Sequence, residues 1–128
     1  MTDRDAPDIE GLPESFDSEC VFCRIVRGDF GTVFVAESAR VVAFADLAPQ
    51  APTHVLVVPR QHIVDLSATS GEEALLGELL SLTRQVAHDA GLDGGYRVLT
   101  NIGSDAGQSV FHLHFHVLGG RPLGTGLA

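Results

Sequence analysis

Residues 110–118 read VFHLHFHVL, and their strict alternation is the strongest constraint this chain places on its own fold. In extended backbone, successive side chains point to opposite faces. Leu113, Phe115 and Val117 then form an apolar face, and His112, His114 and His116 share the other. An apolar sheet face needs a covering layer, and residues 70–91 offer one. Ser70 and Glu73 stand at capping-box spacing, which starts a helix at Ser70. Leu75, Leu76, Leu79, Leu80, Thr83, Val86, Ala87 and Ala90 fill one broad face, and Gly91 is the C-terminal stop.

The remaining segments extend that sheet. TVFVAES and RVVAFAD are rich in β-branched and aromatic residues and flank a turn, which predicts a hairpin. APQAPT is a proline-punctuated loop into HVLVVP, a short buried strand closed by Pro59. YRVLTN reads as a strand, IGSDAGQS as a loop, and VFHLHFHVL as the last strand. CVFCRIVRGD predicts a short helix ending at Gly28. The sum is an α+β fold: an antiparallel sheet of about five strands with one main helix and a short N-terminal helix.

Charge divides the chain. Residues 1–19 hold seven acids and one Arg, a net of −6 out of the total of −9. They lack a hydrophobic period and read as an acidic disordered tail, leaving residues 20–128 as one domain. That domain has no basic stripe, so nucleic-acid binding is not expected. No apolar run is long enough to span a membrane, and the N-terminus lacks a basic signal region, which suggests a cytoplasmic protein. All eight basic residues are Arg. Without lysine, a Walker P-loop, a kinase phosphate-pairing lysine and a Schiff-base lysine are excluded.

Three imidazoles on one face could be a metal claw, a catalytic relay, or a polar solvent face. The solvent-face reading would more often use Thr, Lys or Glu. The loop before them, with Gly103, Gly107 and Ser109 and preceded by Asn101, offers backbone N–H groups and a hydroxyl, the makings of an anion site without lysine. Cys20 and Cys23 are too close to close a stabilising loop and read as a metal half-site or a redox pair. His88, on the polar side of the long helix, reads as an ordinary surface residue.

QSVFHLHFHVLGG carries the pattern His-x-His-x-His followed by apolar residues. Together with CVFCRIVRGD, VVAFADLAPQAPTHVLVVPRQHI, GYRVLTNIGSDAGQSV and the final GGR, it resembles the histidine-triad (HIT) superfamily. The resemblance spans about residues 20–121. It looks closest to the histidine triad nucleotide-binding proteins that hydrolyse purine nucleoside phosphoramidates.

The resemblance implies a HIT-like fold and a role for each motif position. His114 would be the nucleophile, attacking an α-phosphorus to form a nucleotidyl-histidine that water hydrolyses. His116 would contact the α-phosphate, Ser109 would donate its hydroxyl, and His54 would assist proton transfer with His112. Asp46 would accept both ribose hydroxyls. Phe44, Leu47, Phe22 and Ile25 would line the base pocket, with Asn101, Gly107 and Gln108 around the sugar and phosphate. For the four apolar residues, plain core packing is the alternative. Cys20, Cys23, His62 and His112 match a structural zinc set found in some bacterial-type members, against the rival of a redox pair.

The resemblance implies as partners a purine nucleotide, with AMP the expected moiety, and a second copy of the chain as a homodimer; it implies no organic cofactor. The tail after Gly120 lacks the Trp or His that relatives use to shape the leaving-group side. Cleavage of dinucleoside polyphosphates, a nucleotide-binding scaffold with incidental catalysis, and a zinc metallohydrolase are the competing functions.

Overall fold

A computed structural model describes residues 15–126. In chain order its elements are α1 (Val21–Arg27), β1 (Ala36–Glu37), β2 (Val41–Ala45), β3 (Thr53–Pro59), α2 (Glu73–Asp89), β4 (Tyr96–Leu99) and β5 (Phe115–Gly119). The strands form one antiparallel sheet in the order β1-β2-β3-β5-β4. Among the described residues, no helix is long and apolar enough to cross a membrane.

The alternation sorts the two faces of the sheet as expected. Val41, Ala43, Val55, Val57, Phe115 and Val117 point to one side, where Leu75, Leu79, Leu82 and Val86 of α2 cover them. Val42, Phe44, Leu56 and Val58 point to the other and pack with Phe22 and both cysteines of α1. Each fully buried Val or Leu contributes about 1.5–3 kcal/mol by leaving water, so these two layers supply the fold's main stabilisation. The triad's side of β5 therefore meets α1, away from the long helix.

Several local details depart from the sequence reading. The last strand begins at Phe115, so His112, Leu113 and His114 lie before it. The cause is Pro59. The β3–β5 ladder runs from Thr53↔Gly119 to Val57↔Phe115, and two positions further on it would face Leu113 with Pro59, which has no N–H to give. Leu113 N–H instead donates to the Ile63 carbonyl at 2.6 Å, and Thr100 Oγ donates to the His114 carbonyl at 2.7 Å.

The capping box at Ser70 is not formed either. Gly71 takes φ +83°, which bends the chain out of helical geometry, and α2 starts at Glu73 with no side-chain cap. On α2, Leu82 is buried while Leu80 is exposed, as is Ala90 just after the helix, a rotation of the apolar stripe relative to the expected face. The first hairpin strand is only Ala36–Glu37, and Val33 before it is 79 % exposed. Of the expected tail, residues 1–14 lie outside the described residues. Residues 15–19 join the domain: His62 N–H donates to the Ser15 carbonyl at 3.0 Å, and Phe16 packs on the cluster beneath α1.

Candidate functional site

Two groups of ligand-type side chains converge on the α1 side of the sheet. The first contains Cys20, Cys23, His62 and His112, whose ligating atoms all lie within 4.8 Å of one another. Cys20 is the N-cap of α1 and its Sγ accepts from Cys23 N–H at 3.3 Å, so the first helical turn brings both sulfurs together. Nδ1 of His112 lies 3.3 Å from Cys20 Sγ and 3.5 Å from Cys23 Sγ; Nδ1 of His62 lies 3.3 Å from Cys23 Sγ.

A tetrahedral ion with bonds of about 2.3 Å to sulfur and 2.0–2.1 Å to nitrogen has S···N edges of about 3.5 Å, so this set fits such an ion. Nε2–H of His112 donates to the Pro59 carbonyl at 2.9 Å, which turns Nδ1 toward the sulfurs. Burial holds the His112 imidazole down at about 4 and pushes the Cys23 thiol up to about 12. Both shifts favour uncharged groups, and a bound cation would reverse that preference at the thiol.

The second group contains Asp46, His54 and His116, again with ligand atoms within 4.8 Å of one another. Leu56 pairs with His116 across the β3–β5 ladder, which makes His54 the diagonal neighbour of His116 on the same face. Gln50 N–H donates to His54 Nδ1 at 3.0 Å, so the His54 proton sits on Nε2. That Nε2–H meets His116 Nδ1 at 2.9 Å and lies 3.4 Å from Asp46 Oδ2. His116 thereby carries its own proton on Nε2, ready to donate. Burial, then the neighbouring histidines, lower the His116 imidazole to about 4.

His114 stands between the two groups. Its Nδ1–H donates to the backbone carbonyl of His112 at 2.7 Å, which leaves the lone pair on Nε2. Burial lowers its pKa as well, keeping that lone pair unprotonated, and the edge of Phe22 packs against the ring at a centroid distance of 5.0 Å.

Two cavities meet at His116, each of about 320 Å³. The first is lined by Phe22, Ile25, Phe44, Asp46, Leu47, Ser109, His114 and His116, all expected from the sequence, together with Val21, Thr32, Ala45, Leu56 and Val110, which were not. Leu47 is 99 % exposed at its rim, an apolar side chain presented to whatever enters. The second cavity lies on the β4 side of His116 and is lined by His54, Gln50, Arg97, Asn101 and Arg121 with Leu99, Leu118 and Leu123.

Four expected site residues are placed otherwise, and one of them, Gly107, lines neither cavity. His112 does not pair with His54: its side chain is fully buried against the cysteines, and His116 takes its place as the partner of His54. Gln108 lines neither cavity. Its amide donates to the Val64 and Val110 carbonyls and accepts from Gly103 N–H at 2.8 Å, so it staples the loop that Gly107 turns. Asn101 lines the second cavity, with its amide bound to the Ala106 carbonyl. Arg97 and Arg121 escaped the sequence reading, because only the β4–β5 register and the turn after β5 bring them to the same wall.

The family model described as HIT domain matches residues 27–123. A purine nucleoside phosphoramidase of Escherichia coli is 39 % identical over 112 residues, covering 86 % of this chain and 94 % of that protein. An uncharacterised HIT-like protein of Synechocystis is 44 % identical over 106 residues, covering 82 % and 93 %. A HIT family hydrolase from Clostridium thermocellum superimposes with a TM-score of 0.83 at 38 % identity, over 87 % of this chain and 98 % of that one. The histidine pattern, the sheet that carries it and these matches agree: this chain belongs to the HIT domain family.

Proposed function

We propose that this HIT-family protein is a hydrolase that releases a purine nucleoside monophosphate, AMP in the form tested below, from phosphoramidates or acyl-adenylates. The observation that carries the reading is the 2.7 Å bond from His114 Nδ1–H to the His112 carbonyl, which aims an unprotonated Nε2 into a cavity bearing Asp46. The E. coli relative named as a phosphoramidase supports the substrate class.

In this mechanism Nε2 of His114 attacks the α-phosphorus, a P–N bond to the histidine forms, and the bond to the leaving group breaks. The departing amine takes up a proton relayed through Nε2–H of His116 and the Ser109 hydroxyl, which line the cavity, and the water that hydrolyses the nucleotidyl-histidine returns that proton to them. His54 supports His116 by donating to its Nδ1. Water then hydrolyses the nucleotidyl-histidine. Asp46, whose Oδ1 accepts from Ala48 N–H at 2.8 Å, keeps lone pairs for the ribose hydroxyls.

Zinc is part of the same proposal. Cys20, Cys23, His62 and His112 would hold it as a closed structural ion that cross-links α1 to the triad segment. His112 thus serves the site through its backbone carbonyl, and its imidazole serves the metal. A homodimer through β4 and α2 is supported by the open edge of β4, where Tyr96 and Val98 are exposed, and by exposed Leu80 on α2. Incubation with adenosine 5′-phosphoramidate should release AMP, and His114→Ala should stop it. Release by the variant at the original rate would sink the reading.

A further inference from the structure

The second cavity opens directly beside the reacting centre, on the side of His116 away from Asp46 and His114. His116 lines both cavities, whereas His114 lines only the first. In a phosphoryl displacement the attacking and leaving atoms lie roughly in line, on opposite sides of phosphorus. With the nucleoside and the nucleophile on one side of His116, the leaving group faces the other side, toward β4.

The chemistry of that wall is one-sided. No Asp or Glu lines the second cavity, although the chain carries a net charge of −9. Two of its lining residues are arginines, Arg97 from β4 and Arg121 from the turn after β5. Arg24, Arg27, Arg40 and Arg60 each have a carboxylate within 4 Å. Among the described residues, Arg97 and Arg121 have none, and neither has the exposed Arg84 on α2.

The two cavity arginines are instead steadied by backbone oxygens. Arg97 donates to the Gly124 carbonyl at 2.6 Å; Arg121 donates to the Pro122 and Gln50 carbonyls at 2.9 and 3.2 Å. A guanidinium has five N–H donors, so each keeps donors to spare while its position is fixed. Gly120 makes that position possible: it turns the chain at φ +97° with Pro52 packed where a Cβ would sit, 2.9 Å away.

We propose that this cavity is an anion subsite for the leaving group, in which Arg97 and Arg121 bind a carboxylate or phosphate-type group on the amine or acid that departs from AMP. The inference rests on the function proposed above and narrows it. Leu99, Leu118 and Leu123 line the same space, which suits a short aliphatic spacer between the reacting nitrogen and the anion.

The test uses three AMP phosphoramidates whose leaving amines are β-alanine, 2-aminoethylphosphonate and β-alaninamide. They present a carboxylate, a phosphonate and a neutral amide on the same spacer. Binding is measured by calorimetry to the full-length His114→Ala protein, which separates affinity from turnover. At least one anionic conjugate is expected to bind about tenfold or more tightly than the amide, as charge-assisted bonds allow, and which one shows whether carboxylate or phosphate fits.

The same preference should appear as a kcat/KM ratio in the unmutated protein and should weaken with added salt. Arg97→Gln with Arg121→Gln should bring the ratio toward one, while Arg97→Lys with Arg121→Lys should keep part of it. The lysine pair guards against misreading a folding defect. Equal binding of all three conjugates, or a preference for the amide, overturns the subsite alone. Failure of every conjugate to bind overturns the nucleotide reading beneath it.

Discussion

The closed group of Cys20, Cys23, His62 and His112 and the open group of Asp46, His54 and His116 are built from similar residues, and both bring ligand atoms within 4.8 Å. They differ in what is left over. In the closed group, His112 has one ring nitrogen on a backbone carbonyl and the other on two sulfurs, with no exposed surface. In the open group, a chain of donors runs from Gln50 N–H through His54 to His116 and ends on an Nε2–H that, among the described residues, no protein atom takes. Cavities adjoin that end. Spare capacity at a cavity is what chemistry requires, and full satisfaction is what a structural ion requires. His114 connects the groups, since its tautomer is held by the carbonyl of the residue whose ring belongs to the closed one.

The sharpest way to break this contrast is to remove the reactive nitrogen. His114→Ala should lower turnover of adenosine 5′-phosphoramidate by about 10⁴-fold or more while leaving the melting temperature near its original value. Cys20→Ser with Cys23→Ser should do the reverse in order: bound zinc falls from one ion per chain, the melting temperature drops by more than about 5 °C, and activity is lost only as the fold loosens. Loss of activity on chelation with the fold unchanged would move the metal from structure to chemistry.

Smaller effects sharpen the open group. His54→Phe removes the donor to His116 Nδ1, and kcat should fall about 10- to 100-fold with little change in KM, read by steady-state kinetics. A matching fall with His112→Asn but none with His54→Phe would restore the expected His54–His112 relay. Acid should act late. A protonated imidazole has no lone pair for phosphorus, and burial lowers His114 below the ordinary 6.5 and His116 to about 4.

Activity should therefore persist through pH 6.5 and fall only on further acidification; a limb at 6.5 or above would contradict the buried placement. Stability follows the same sign. The folded state binds these protons less readily than the unfolded chain, so their contribution is full above pH 6.5 and is lost toward pH 4. The smallest effect lies on the covering helix: Leu82→Ala should cost about 2–5 kcal/mol in denaturant unfolding, and Leu80→Ala under about 0.5 kcal/mol.

What the sequence made legible was whatever depends on period. Alternation placed Leu113, Phe115 and Val117 under the helix, and the motif brought Asp46, Ser109, His114 and His116 to one cavity. Features that depend on a neighbour in space were hidden. Pro59 ends the last strand from across the ladder, Gly71 undoes a cap whose spacing was correct, and Gln108 spends its amide on the loop. The His54–His116 bond is a consequence of register, and register is not written in either segment alone. The arginine wall needed both a register and a turn, so nothing in the motif announced it.

The central claim is that His114 Nε2, held between the two groups by the His112 carbonyl, is where a nucleotide becomes covalently attached. Rapid acid quench of the protein during turnover of adenosine 5′-phosphoramidate, followed by peptide mass mapping, tests it directly. The account predicts an adenylyl group on His114 and on no other histidine. An adduct on His112 or His116, or full turnover with no adduct at any quench time, would contradict it.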